Sequence, residues 1–260
     1  MEMHHIRRGK GSPLLLVHGL GGSGRSWTPI LDALAAEREV IAIDLPGSGE
    51  TPPLSGEVSI ATLADAVASF LETHDLSGVD AVGSSMGARL VLELARREAV
   101  GAVVALDPGG FWQGWERTFF RTSVALSVRL IRLLQRAMPA LTGSPVGRTL
   151  LFAQFSARPW AVPADVALQE MRTFAASPSF DELLESLVDG PVQEGIPSGA
   201  RIRPIVIGWG RQDRVCLPRQ AARAEERFPD ARLHWFQRCG HFPQWDSPDE
   251  AVRVILEATA

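Results

Sequence analysis

Ser85 is the residue whose type and surroundings point most directly to chemistry. It lies in Gly83-Ser84-Ser85-Met86-Gly87, which fits the pattern G-x-S-x-G. An apolar run ends at this motif and a helix-like run begins directly after it, which predicts a sharp strand-to-helix turn at Ser85. Such a turn strains the residue at its apex and turns its side chain outward, and nearby backbone leaves room only for glycine two positions away on each side. Ser84 is the weaker candidate, because Val82 and Met86 would occupy those two positions.

A serine hydroxyl becomes a nucleophile when a base removes its proton and a third group orients that base. His241 is the best candidate base, because it lies in the loop after the last predicted strand, as Ser85 follows an earlier one. The loops after parallel strands meet at one edge of a sheet. Asp213, in a third such loop, is the favoured acid, and Asp107 is its rival. Asp246 is attributed instead to the start of the last helix, where a carboxylate is favourable.

Charge that develops on a substrate oxygen needs hydrogen-bond donors that are already in place. The Met86 N–H at the start of a predicted helix is one candidate donor. The Leu20 N–H is the second, because Leu20 lies in the Gly-rich loop His18–Gly24 after the first buried strand. These two amides are the expected oxyanion hole.

Regular alternation of strands and helices must position these residues. Continuous apolar runs such as Pro13–Val17 and Ala102–Leu106 are typical of strands covered on both faces. The alternation predicts an α/β fold, a mostly parallel twisted sheet with helices on both faces. It stops at about residue 111 and resumes at about 196. We therefore expect a core made of residues 1–110 and 196–260, with an all-helical lid insert at 111–195. Its basic amphipathic stretch, residues 116–138, is expected to pack on the core and not to lie on a membrane.

Composition excludes several classes of function. The 26 lysines and arginines against 30 acidic residues give a net charge of −4, with no basic patch for nucleic acid. Two cysteines, Cys216 and Cys239, are too few for a metal cluster or a disulfide framework, and we expect no metal and no organic cofactor. The sequence shows neither a signal peptide nor a membrane span, so we expect a cytoplasmic protein without stable membrane association. Composition does not predict the oligomeric state.

The combined motifs resemble the α/β-hydrolase fold superfamily. They are the order Ser…Asp…His, the His-Gly-x-Gly loop, Asp44-Leu-Pro-Gly-x-Gly49, the motif around Ser85 and Gly240-His-x-Pro243. The resemblance implies Ser85, Asp213 and His241 as nucleophile, acid and base, with oxyanion amides at Leu20 and Met86 and the insert as a lid. Dehalogenases and epoxide hydrolases of this fold have an aspartate nucleophile, and epoxide hydrolases also use lid tyrosines, whereas this chain has Ser85 and no tyrosine.

Two branches of the superfamily are similar in detail. Ser85-Met-Gly-Ala-Arg89 resembles the elbow of menaquinone-pathway synthase-like lyases, in which the arginine meets substrate carboxylates. Cys239-Gly-His-Phe-Pro-Gln-Trp245 resembles meta-cleavage C–C hydrolases. Arg89 and Phe242 are therefore candidate substrate-binding residues, although Arg89 could equally bridge to a neighbouring helix. Phe111 and Trp112 are further candidates, because they belong to the insert rich in Phe, Leu and Trp that is expected to form an apolar pocket roof.

The expected function is that of a serine hydrolase acting on a small or medium, partly apolar carboxylic ester through an acyl-enzyme. An alternative is a C–C bond hydrolase or lyase that uses the same three residues on a carboxylated diketone or enol. A third is a ligand-binding receptor that retains the hydrolase fold. The partner is in each case a small molecule.

Overall fold

A single twisted sheet forms the centre of the protein. The computed structural model describes residues 2–201 and 203–260, and within these ranges the sheet has seven strands in the order β1-β3-β2-β4-β5-β6-β7. Neighbouring strands are parallel except β1, which is antiparallel to β3. The strands are β1 His5–Arg8, β2 Pro13–Val17, β3 Glu39–Ile43, β4 Asp80–Ser84, β5 Val103–Leu106, β6 Ile205–Gly210 and β7 Arg232–Phe236.

Helices cover both faces of this sheet, as the continuous apolar strands predict. Along β2, Leu15 and Val17 belong to one hydrophobic cluster, whereas Leu14 and Leu16 belong to another on the opposite face. The core helices are α1 Thr28–Ala35, α2 Ile60–Thr73, α3 Met86–Arg96, α9 Gln220–Arg227, α10 Pro243–Asp246 and α11 Pro248–Ala258. The predicted α/β architecture is confirmed.

Five helices lie between β5 and β6 and form a helical insert. They are α4 Trp115–Leu133, α5 Met138–Gly143, α6 Pro145–Phe152, α7 Ala164–Ala176 and α8 Phe180–Asp189. The amphipathic stretch at residues 116–138 spans more than one helix, because α4 ends at Leu133 and α5 begins at Met138. Within the described ranges, no helix is both long and apolar enough to cross a membrane.

The longest insert helix, α4, packs with only one of its faces. Phe120, Val124, Val128 and Ile131 are buried against the rest of the protein. The opposite face leaves Leu126, Leu130 and Leu133 in solvent. The expectation that this stretch packs on the core therefore holds for one apolar stripe and fails for the other.

Candidate active site

Ser85 lies at the turn from β4 into α3. Its backbone has φ 56° and ψ −114°, in the left-handed half of conformational space that a serine rarely adopts. A Cβ at Gly87 would overlap the carbonyl oxygens of Val17 and His18, and a Cβ at Gly83 would overlap the backbone of Gly87. The glycines of the motif thus allow three backbone segments to meet where Ser85 leaves the strand.

Ser85, His241 and Asp213 form a continuous chain of hydrogen bonds. The Ser85 Oγ lies 2.8 Å from Nε2 of His241, and Nδ1 of His241 lies 2.8 Å from Oδ2 of Asp213. All three side chains are buried. With the Nδ1 proton directed at the carboxylate, Nε2 is free to accept the serine proton, which is the arrangement that general-base activation requires. The three residues chosen from the loops after different strands, Ser85, Asp213 and His241, thus meet in one place.

The Asp213 carboxylate is fixed by the backbone on its far side. Its Oδ1 accepts hydrogen bonds from the N–H groups of Val215 at 2.7 Å and Cys216 at 3.1 Å. Its Oδ2 is therefore held toward His241. This geometry favours Asp213 over Asp107 as the acid.

Asp107, the rival acid, is buried beside Asp213. Its Oδ1 accepts from the Gly210 N–H at 2.8 Å, and in the described part of the chain no group donates to its Oδ2. Burial, together with the neighbouring Asp213 carboxylate, raises the pKa of Asp107 well above its ordinary value. Two carboxylates this close in a dry site do not both ionise readily, and burial favours the protonated form of Asp107.

The expected oxyanion amides lie next to Ser85. Leu20 lines the same cavity as Ser85, and Gly19 packs against the Ser85 side chain. Met86 is the first residue of α3, so its N–H has no partner within that helix. Neither the Leu20 nor the Met86 N–H has a hydrogen-bond acceptor in the two described ranges. Both amides are therefore available to a substrate oxygen.

His18 holds the loop that carries Leu20. Its Nε2 accepts from the Leu45 N–H at 3.0 Å, which places the proton on Nδ1, and Nδ1 donates to the Gly19 carbonyl oxygen at 2.7 Å. Burial lowers the pKa of His18, so the ring is neutral. The sequence placed His18 at the Gly-rich loop but did not predict that it holds this loop, because its partner Leu45 is distant in the chain.

Asp246 joins the His241 loop to the helical insert. Its Oδ2 accepts from the N–H groups of Gly240 and Ala157, each at 2.7 Å, and its Oδ1 accepts from the Ser156 hydroxyl. The His241 N–H donates to the Phe155 carbonyl oxygen at 2.7 Å. Assigning Asp246 only to a helix start was wrong, since its bonds run to the loop that carries His241 and to the insert.

An apolar cavity lies directly above Ser85. The space in it that a water-sized molecule can occupy is about 30 Å³. Phe242 lines it, as expected, together with residues of both the core and the insert. The full lining is Leu20, Ser85, Phe120, Val124, Val128, Phe155, Phe174, Phe180, Val215, His241 and Phe242. Apart from His241, none of the described residues of this lining is basic.

Three other candidate substrate-binding residues lie elsewhere. The Arg89 guanidinium donates to the carbonyl oxygens of Leu187 and Pro191, at the end of α8, and burial lowers its pKa to about 10. Phe111 packs between Trp209 and Phe228. Trp112 stacks on Phe120. Arg89 thus makes the bridge from α3 to the insert that was the alternative to a substrate contact, while its Nε has no acceptor among the described residues. A contact between Arg89 and a substrate stays a prediction.

Asp213, Cys216 and His241 each place a potential metal ligand within 4.8 Å of the others. Two of these groups are already joined by the hydrogen bond described above. Burial also raises the pKa of the Cys216 thiol well above its ordinary value, which disfavours the thiolate that binds metals. The cluster is accounted for by the Asp213–His241 pair. Both Cys216 and Cys239 are buried and free.

Known proteins share this architecture. An uncharacterized protein of Mycobacterium tuberculosis is 26% identical over 97% of this chain and 78% of its own length. A 2-hydroxy-6-oxononadienedioate/2-hydroxy-6-oxononatrienedioate hydrolase of Burkholderia vietnamiensis is 28% identical over 99% of this chain and 90% of its own. An esterase structure from Exiguobacterium antarcticum has a TM-score of 0.79 at 17% identity, covering 99% of this chain and 95% of that one. Residues 12–248 match the family described as alpha/beta hydrolase fold, and the chain therefore belongs to that family.

Proposed function

We propose that this protein is a serine hydrolase that cleaves a small or medium, partly apolar carboxylic ester. The observation that carries the proposal is the unbroken path Ser85–His241–Asp213 at the floor of an apolar cavity. Such a path supplies a nucleophile, a base and an orienting carboxylate, which together suit acyl transfer.

In the proposed mechanism, His241 takes the Ser85 proton at Nε2 as Oγ attacks the ester carbonyl. The amides of Leu20 and Met86 donate to the oxygen that becomes negative. His241⁺ then protonates the departing alcohol, and the acyl group stays on Ser85. Water, deprotonated by His241, attacks the acyl-enzyme, and Ser85 leaves with the proton returned by His241. Asp213 remains ionised and stabilises the imidazolium in both halves.

The lining of the cavity supports a substrate with an uncharged, apolar group. The space open to a water-sized molecule is about 30 Å³, far below the roughly 300–1,000 Å³ of ligand sites, so side chains of the cavity roof must move to admit even a small ester. Phenylalanine and valine side chains from α4 and from the segments around Phe155 and Phe174 face the reacting serine. An uncharged acyl or alcohol group would be stabilised there by removal of its surface from water.

We also propose that the insert, residues 111–195, acts as a lid over the site. Phe120, Val124 and Val128 of α4 form part of the cavity roof, and Phe174 and Phe180 belong to α7 and α8. Replacing these side chains is therefore expected to change acyl-chain preference more than the rate with the smallest ester.

C–C bond hydrolysis is the second candidate, because the named hydrolase of Burkholderia vietnamiensis acts on a dioate. A dicarboxylate needs cationic partners when it enters a dry site. Within the described residues, His241 is the one basic group in the cavity lining, and Arg89 is engaged by carbonyls of the insert. The cavity therefore suits a neutral ester better.

Hydrolysis of p-nitrophenyl esters from acetate to octanoate, run beside a carboxylated vinylogous diketone, tests the proposal. We expect turnover of one or more esters, loss of at least 10³-fold in kcat for Ser85→Ala, and labelling of Ser85 by a fluorophosphonate. Ser84→Ala is the matched control, because Ser84 is the adjacent buried serine and its hydroxyl contacts Gln244, not His241.

Retained ester turnover in Ser85→Ala would refute the nucleophile assignment. Preferential consumption of the diketone would favour C–C cleavage. Tight ligand binding without turnover, or an unlabelled Ser85, would favour a receptor of hydrolase fold.

A further inference from the structure

The helix α4 carries two apolar stripes on opposite faces. Phe120, Val124, Val128 and Ile131 point inward, and the first three line the cavity above Ser85. On the outer face, Leu126, Leu130 and Leu133 recur at spacings of four and three, so they share one side of the helix. Their exposed fractions are 68%, 50% and 79%. Three neighbouring leucines exposed to this degree indicate a surface that another molecule covers when the protein functions.

Helix α6 carries a second pair of exposed apolar side chains. Val146 and Leu150, also four residues apart, are 72% and 74% exposed. Gln154, just after α6, accepts a hydrogen bond from Ser127 at 2.6 Å and donates one to Ser123 at 2.9 Å. These bonds hold the end of α6 beside the middle of α4. We call Leu126, Arg129, Leu130 and Leu133, which share one side of α4, the outer face of the insert.

The charge around this outer face is positive. Residues 117–164 contain seven arginines and not one aspartate or glutamate, although the whole chain has a net charge of −4. Arg121 and Arg132 pair with Asp189 and Asp181 of α8.

Arg129 and Arg136 are exposed and differ from these paired arginines. In the ranges that the structure describes, no carboxylate lies within ion-pair distance of either guanidinium. Arg129 lies between the leucines in sequence and on the same side of α4. The outer face of the insert therefore combines exposed leucines with arginines that have no carboxylate partner among the described residues.

We propose that the outer face of the insert binds reversibly to the surface of an anionic phospholipid bilayer. The leucines would enter the boundary between headgroups and acyl chains, while Arg129 and Arg136 pair with lipid phosphates. Long arginine side chains can keep their charge at the headgroups while their stems lie along apolar surface. Binding of this kind needs no membrane-spanning helix.

A second copy of the chain or a protein partner fits this surface less well. Two identical outer faces brought together would place like charges from Arg129 and Arg136 near one another. The centres of protein interfaces are enriched in aromatic side chains and depleted in charge. This face has aliphatic side chains with an arginine among them, which is the composition of a helix at a lipid surface.

The placement has a geometric consequence for the site. Because α4 carries the outer leucines on one side and cavity-lining residues on the other, a bilayer bound at the outer face lies one helix diameter from the cavity roof. The binding proposal is independent of the proposed ester chemistry, and its test does not use catalysis.

Sedimentation with sucrose-loaded vesicles tests the proposal on the full chain. We expect binding to vesicles of equal parts phosphatidylglycerol and phosphatidylcholine, at least tenfold weaker binding to pure phosphatidylcholine, and strong weakening between about 0.1 M and about 1 M salt. The double variant Leu126→Asn/Leu133→Asn should bind at least tenfold more weakly. Arg129→Gln should bind anionic vesicles roughly fivefold more weakly, with no change on pure phosphatidylcholine.

Val192→Asn is the control, because Val192 is exposed but lies outside the outer face. Thermal unfolding checks that each variant is folded. The proposal is overturned if the wild type stays in the supernatant with anionic vesicles, or if the leucine double variant binds as well as the wild type. A dimer seen by light scattering and abolished by Leu126→Asn/Leu133→Asn, without vesicle binding, would assign the surface to self-association instead.

Discussion

Replacing Asp213 by asparagine should leave the His241 ring in place but shift it to the tautomer that cannot act as a base. The two N–H groups that bind Oδ1 of Asp213 require an acceptor there, so the asparagine carbonyl oxygen will take that place. The amide NH₂ then occupies the Oδ2 position and donates to Nδ1 of His241. With Nδ1 as an acceptor, the ring proton moves to Nε2, which lies 2.8 Å from the Ser85 Oγ. A protonated Nε2 has no free lone pair and therefore cannot accept the serine proton.

The size of the loss follows from what remains. The Ser85 hydroxyl, the oxyanion amides and the cavity are unchanged, so substrate binding should be nearly normal. The loss of a usable base with its orienting charge corresponds to about 10⁴-fold in kcat in a serine hydrolase, or about 5 kcal/mol of transition-state stabilisation. Asp107 should not readily replace the lost charge, because burial raises its pKa and favours its protonated form.

Steady-state kinetics on a nitrophenyl ester, with thermal unfolding of both proteins, measures the effect. We expect kcat to fall by about 10⁴-fold while KM changes by less than about threefold. An asparagine variant within tenfold of wild-type kcat would refute the tautomer reasoning and the choice of Asp213. In that event, the double variant with Asp107→Asn would show whether Asp107 is the acid.

Three further predictions concern stability. Burial raises the pKa of Glu170 to about 7 from an ordinary 4.5. Between these two values the folded state holds a proton that the unfolded chain releases. The free energy of unfolding therefore falls by on the order of 3 kcal/mol as the pH rises from about 4.5 through 7. Glu170→Gln should therefore raise Tm over wild type at pH 8 and much less at pH 5, and an equal shift at both would contradict this. Gly87→Ala should cost about 3 kcal/mol or prevent folding, whereas Gly143→Ala, with open space at its Cβ, should be nearly neutral in denaturant unfolding. Asp246→Ala should cost about 2 kcal/mol by leaving two buried N–H groups unpaired; Asp246→Asn should retain most stability, and equal losses by calorimetry would argue against the hydrogen-bond account.

The parallel sheet was predictable because its strands are short apolar runs bounded by turn residues. The meeting of residues 85, 213 and 241 was predictable for a related reason, since each follows a strand and parallel strands end at one edge. The glycines at 83 and 87 marked the turn because their spacing around Ser85 is fixed, although the Cβ excluded at Gly87 would meet the distant residues Val17 and His18. These features depend on sequence neighbours or on simple topology.

Other features depend on contacts between distant segments and left no local pattern. Arg89 follows the nucleophile by one helical turn, but its direction is set by carbonyls nearly 100 residues away. Asp246 has the spacing of a helix-start residue, yet its partners include residues 156 and 157 of the insert. In α4, apolar residues occur on both faces, and periodicity alone does not say which face is covered.

The hydrogen bond from the His241 N–H to the Phe155 carbonyl oxygen limits how this protein can diversify. The segment around residues 155–158 belongs to the insert by sequence, but through that bond and Asp246 it also holds the loop of the base. Exchanging the whole insert between relatives would therefore disturb proton transfer as well as substrate choice. A chimera that keeps this short segment and replaces only the helices before and after it should alter selectivity while the reaction centre stays intact.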